Sequence, residues 1–185
     1  MGNSLGKYYD QAKLGRVFIG STTNAGVAVP VYNATAQTFG LWNPAGSGVN
    51  LVLGKLSVAV ATLGTNIVSA LGLSYLLNVG AAIGAAGAPI TAFTATAPFN
   101  AILGQGDAPK GRFTLSATTI APAFLMSLPM AQNVSTTAPN AEQAYSFDFD
   151  GMLIIPPNVY IGLGGSAAPG STYQASLSWA EVAAS

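Results

Sequence analysis

Polar and apolar side chains alternate with a period of two over several stretches of the chain, most sharply toward its C-terminus. Tyr145, Phe147 and Phe149 face one way and Ser146, Asp148 and Asp150 the other. Tyr173, Ala175, Leu177 and Trp179 alternate with Gln174, Ser176 and Ser178, and Phe113, Leu115 and Ala117 alternate with Arg112, Thr114 and Ser116. Successive side chains of a strand point to opposite faces, so this spacing predicts half-buried strands, each putting one apolar row into a core. It selects Phe113, Leu115, Phe147, Phe149, Leu177 and Trp179 as core positions. Apolar runs at 16–19, 26–31, 49–53, 56–61, 152–155 and 159–163 read as further strands. The turn Pro156-Pro157-Asn158 separates the last two, and Gly164-Gly165 is expected to stop the second. Gly54-Lys55, between 49–53 and 56–61, predicts a bulge or a tight turn.

Short strands with regular turn signals define an all-β, single-domain β-sandwich or jelly roll. A local helix is expected only over 66–77, where Ile67, Leu71 and Tyr75 recur at helical spacing and Thr65 stands as an N-cap. Residues 1–15, which gather Lys7, Asp10 and Lys13, form a short N-terminal arm ahead of a domain at 16–185. The Ala/Gly-rich segment 80–106 reads as an insertion or long loop. It is too apolar to hang free, so it packs along the domain or against a neighbouring subunit.

Composition changes the picture at the surface. Charged residues make up 6% of the chain, against about 25% in an ordinary soluble domain. The exterior must therefore be built from Ser, Thr, Asn, Gln, Gly and Ala. Six basic and six acidic residues cancel, so little repulsion keeps copies apart and no basic field exists to hold nucleic acid. No charge falls between Leu56 and Gly106, and mean hydropathy is +0.47, which raises a membrane-associated β protein or a spanning helix as rivals. Frequent glycines, Pro89 and Pro98, and interleaved Ser, Thr and Asn break every run before the about twenty apolar residues a span requires. No membrane partner is expected. The first ten residues lack the apolar core of a secretory signal.

The absence of Cys and His removes thiol nucleophiles, imidazole bases and soft metal sites. No catalytic residue and no cofactor is expected, and the chain reads as a non-enzyme. Asp148 and Asp150 share a strand face and are weak candidates for a Ca²⁺ site. Two carboxylates alone fall short of the about six to eight oxygens that ion takes, so Asp107 and Glu142 would have to converge on them. Trp42, Trp179, Tyr160, Tyr173 and Phe147 would make an aromatic platform for sugar if exposed, but aromatics on the apolar face of a strand belong to the core.

Residues 41–53, Leu-Trp-Asn-Pro-Ala-Gly-Ser-Gly-Val-Asn-Leu-Val-Leu, resemble a turn-and-strand stretch in small structural proteins of tailed bacteriophages and related prophage-like clusters. Residues 154–165, Ile-Ile-Pro-Pro-Asn-Val-Tyr-Ile-Gly-Leu-Gly-Gly, and then 177–182, Leu-Ser-Trp-Ala-Glu-Val, resemble the last strands of those proteins. They are similar, more loosely, to the trimeric jelly rolls of the tumour-necrosis-factor and C1q type. The matched residues are fold-determining, cover a minor part of the chain and leave 80–106 without a counterpart. The resemblance implies a virion protein that decorates a capsid or head surface, self-associated as a homotrimer and in contact with the major capsid or other virion proteins. A receptor- or glycan-binding jelly-roll module is the alternative it leaves open. Segment 80–106 is the subunit-contact region this reading selects.

Overall fold

The computed structural model describes residues 8–62, 70–80, 82–85, 87–128, 144–167 and 170–184. A short helix, α1 (Tyr9–Lys13), precedes β1 (Val17–Ser21), β2 (Val27–Ala28), β3 (Ala36–Gln37), β4 (Gly40–Asn43), β5 (Val49–Thr62) and β6 (Leu71–Leu76). There follow β7 (Ile90–Ala95), β8 (Phe99–Asn100), β9 (Arg112–Thr119), β10 (Ala123–Ser127), β11 (Ala144–Asp148), β12 (Ile154–Ile155), β13 (Val159–Gly165) and β14 (Thr172–Ala183). The strands form two antiparallel sheets, one ordered β11-β5-β14-β1-β8 and the other β10-β6-β13-β4-β9-β3, with β12 added to β5, β2 to β14 and β7 to β9. Apolar rows from both meet between them: Phe18, Leu53, Leu56, Leu177 and Trp179 from the first sheet, and Leu41, Leu73, Phe113, Ile161 and Leu163 from the second. The chain is an all-β sandwich, as the alternation predicts. Leu177, Trp179, Phe113 and Phe149 are buried to 1% exposure, while Leu115 and Phe147 pack at the margin of the core.

The pairing is nested along the sequence. β1 pairs with β14, β4 with β13, β5 with β11 and β6 with β10, all antiparallel. An outermost pair thus encloses the next, and all four successive pairs fall in alternate sheets.

The long strand β5 shows how a local sequence irregularity serves this packing. Leu51 and Leu53 face the core at odd positions, whereas Leu56 and Val58 face it at even ones. A regular strand would put one of these halves into solvent. The register shifts instead at Gly54-Lys55, both of which lie opposite Ser178, since Leu53 pairs with Trp179 and Leu56 with Leu177. The interruption is therefore a β-bulge inside one 14-residue strand, not a turn. Ser178 plugs it: its Oγ accepts the Lys55 N–H at 2.9 Å and donates to the Lys55 carbonyl at 3.3 Å. A Cβ at position 54 would come within 2.7 Å of that oxygen, which is why glycine stands there.

The apolar segment after β6 forms a third layer. The outer face of the second sheet carries the row Leu76–Tyr160–Trp42, and Val79, Ile90, Ile83 and Phe93 close over it as a second cluster. Trp42 meets the Phe93 ring edge-on at 5.4 Å and the Arg112 guanidinium at 5.4 Å. Segment 80–106 is accordingly no long loop among its described residues, because it contains β7, paired with β9, and β8, paired with β1. Its hydrophobicity belongs to a sheet face that would otherwise expose a tryptophan and a tyrosine.

Three further expectations need correction. Residues 71–76 are β6 and not part of a helix over 66–77; Thr65 and 66–69 lie outside the described residues. A spacing of four residues fits a strand face as well as a helix face, and Leu71, Leu73 and Tyr75 also alternate. Gly164-Gly165 does not stop β13, since Gly164 pairs with Gly72 and Gly165 with Leu71, while the Tyr32 ring covers both Gly72 and Gly164 and its hydroxyl donates to the Ala70 carbonyl at 2.8 Å. In the runs 26–31 and 152–155, only Val27–Ala28 and Ile154–Ile155 pair as strands. Of the arm at 1–15, residues 1–7 lie outside the described residues and the rest contains α1, where Lys13 and Asp10 pair on the surface at 2.8 Å.

Candidate functional surfaces

Asp148 and Asp150 are both exposed, at the end of β11 and in the turn after it. The Asp148 Oδ1 accepts the Asp150 N–H at 2.9 Å, which lets Asp150 hold φ 52° ahead of Gly151. Asp148 also stands in register with Lys55 of β5. Asp107 does not join them: its carbonyl accepts from Asn100 of β8, at the opposite edge of the same sheet. Glu142 lies outside the described residues. Among the described residues no three acidic side chains gather as a metal site.

Of the five aromatic residues considered as a sugar platform, four are packed away and Phe147 is half-buried at the margin of the core. Trp42, Tyr160 and Tyr173 are fully buried and Trp179 nearly so. Burial pushes the Tyr160 phenol well above its ordinary pKa of 10.0. The Tyr173 phenol is also raised by burial, partly offset by a hydrogen bond with Ser171.

The outer face of the first sheet is small and polar. Ser21, Ser176, Ser57 and Ser146 lie side by side on β1, β14, β5 and β11 and floor a shallow depression of about 430 Å³. Both edges of this sheet are apolar instead. Met152 and Ile154 beside β5 are 77% and 51% exposed, and Phe99 on β8 and Leu103 just beyond it are 62% and 80% exposed.

Four charged residues gather in one cleft of about 450 Å³, whose lining includes Arg16, Phe18, Val49, Asp107, Lys110 and Glu181. Glu181 continues the inward-facing row of β14 and is 5% exposed. Its Oε1 accepts the Lys110 and Gly111 N–H groups at 2.8 Å each and the Trp179 indole N–H at 3.5 Å, and its Oε2 accepts the Lys110 N–H at 3.0 Å. The buried carboxylate thereby ties the strand-entry loop before β9 to the end of β14, satisfying the charge that burial would otherwise penalise. Arg16 and Lys110 form no ion pair among the described residues. The sequence carries a readable signal for this site: a carboxylate at a position where the alternation 173, 175, 177, 179 demands an apolar side chain.

Comparison with known proteins returns no family model, no curated protein and no solved structure that matches the chain. Among the described residues no helix is long and apolar enough to cross a membrane.

Proposed function

We propose that the chain is a non-enzymatic virion structural subunit: a jelly roll that stabilises a capsid or head surface as a homotrimer, in contact with the major capsid or other virion proteins. The nested pairing supports the jelly-roll reading, since rolling one antiparallel ribbon of eight strands pairs first with last, second with seventh, third with sixth and fourth with fifth. On this reading β7, β8 and β9 are an insertion between the fourth and fifth strands, and β2, β3 and β12 are edge additions.

The observation that carries the assembly reading is the pair of apolar edges on the first sheet, Met152 and Ile154 at one and Phe99 and Leu103 at the other. On a chain with 6% charged residues such side chains favour association. Two different patches on opposite edges suit a head-to-tail contact, which closes into a ring when the rotation allows. Segment 80–106 contributes through Phe99 and Leu103. The membrane-associated alternative fits less well, because a membrane barrel turns its apolar row outward, whereas here that row points into the sandwich.

Replacing Phe99 or Met152 by Lys tests the reading. Each change is expected to convert the oligomer to monomers without lowering the unfolding temperature, as both side chains are exposed. An oligomer that survives both substitutions contradicts the edge-to-edge contact. The glycan-binding alternative draws on the charged cleft.

A further inference from the structure

We propose that the cleft between the start of β1, the loop before β9 and the end of β14 binds an acidic sugar, a ring bearing one carboxylate and several hydroxyls. The chain holds six basic and six acidic residues in all, and two of each line this one cleft: Arg16 and Lys110, Asp107 and Glu181. In so sparsely charged a molecule that convergence is not required by solubility, and among the described residues neither cation forms an ion pair with a carboxylate. Of the other described cations, Lys13 is held by Asp10 and Arg112 lies against the Trp42 ring, while Lys55 stands alone on β5 with no second cation beside it in the register.

The lining specifies the ligand class. Arg16 and Lys110 supply charge-assisted donors for one carboxylate, the guanidinium in the fork geometry that such a group matches. Asp107 is exposed, and Glu181 Oε2, which accepts only the Lys110 N–H, keeps acceptor capacity; both would take ligand hydroxyls. Val49, Ala108 and Ala183 give an apolar wall for the ring face. The Glu181 charge is already held by the backbone of 110 and 111, so the acceptor is preorganised and does not have to swing into place. A volume of about 450 Å³ lies within the roughly 300–1,000 Å³ of small-molecule sites. A bare inorganic anion would leave the acceptors unused, and a neutral sugar would leave the cations unused.

The inference goes beyond the assembly reading and does not rest on it; the association state is measured separately. The test is a titration of isotope-labelled full-length protein with glucuronate, followed by NMR, with glucose and inorganic phosphate as comparison ligands. Saturable shifts are expected at the amides of Lys110 and Gly111 and at the Trp179 indole N–H, with glucose and phosphate weaker by about tenfold or more. Arg16→Ala combined with Lys110→Ala should weaken glucuronate by about tenfold or more at an unchanged unfolding temperature, since both side chains are exposed. No saturable shift with glucuronate overturns the proposal. Equal binding of phosphate or glucose, or glucuronate binding that survives the double substitution, overturns it as well.

Discussion

Tyr160 shows what single residues contribute and cost. Its ring continues the row Leu76–Tyr160–Trp42, and its phenol lies over the cross-strand pair Gly40–Gly162, where a Cβ at either position would crowd it. The hydroxyl is buried and has no hydrogen-bond partner among the described residues. An unsatisfied buried hydroxyl costs about 1–3 kcal/mol, so Tyr160→Phe is expected to leave stability unchanged or raise it by about 1 kcal/mol, measured by chemical denaturation at neutral pH. The pH dependence follows from the raised phenol. Above about pH 10 the unfolded chain has released the proton that the folded chain still holds, so the unfolded state binds fewer protons and stability falls as pH climbs toward the folded pKa. Below that range the group contributes no slope. Tyr160→Phe should flatten much of the alkaline fall, with Tyr173, raised in the same direction, retaining part of it; an unaltered slope would place the phenol in contact with water. Glu181 is the opposite case: it is as buried as its apolar neighbours, yet every backbone donor around it is used.

At the scale of elements, the bulge in β5 couples two residues far apart in sequence. Gly54→Ala places a methyl against Ser178 Oγ and is expected to destabilise by about 1–3 kcal/mol. Ser178→Ala in the same molecule should recover part of that loss, a non-additivity read directly from a double-mutant cycle of thermal or urea unfolding. Strictly additive effects would mean that the serine does not plug the bulge. The bulge was half legible in the sequence: inward positions change from odd to even parity across Gly54-Lys55, which a turn or a bulge explains equally well until the partner strand is known. Strands that border solvent on one face, β9, β11 and β14, were legible because water on that face forces a polar residue at every second position. β6 was not, because its Gly72, Ser74 and Leu76 are buried on the outer face as well, which erases the polar half of the pattern. The layer built from Val79, Ile90 and Phe93 was hidden for the same reason. Ala and Gly carry little periodic signal, and nothing local in the sequence says that the second sheet needs a cover over Trp42 and Tyr160. The charged cleft draws on β1, β14 and the loop before β9, segments whose proximity only the pairing of β1 with β14 reveals; Glu181 alone stood out of pattern.

For the molecule as a whole, two properties set the account: strand pairing that nests from the termini inward, and a surface almost without charge that exposes Leu103, Met152 and Phe99 at the sheet edges. Nested pairing makes the first and last strands neighbours, so β1 and β14 anchor each other only after most of the chain is in place, and folding is expected to be slow for the chain's size. A neutral exterior with apolar edges is costly to keep in water as a monomer and favourable to bury between subunits. The most direct test is the mass of the purified, detergent-free protein by light scattering behind a sizing column. A discrete species at three times 18.6 kDa is the predicted result. A stable monomer at 18.6 kDa, with those edges in water and no tendency to associate, would contradict the assembly role.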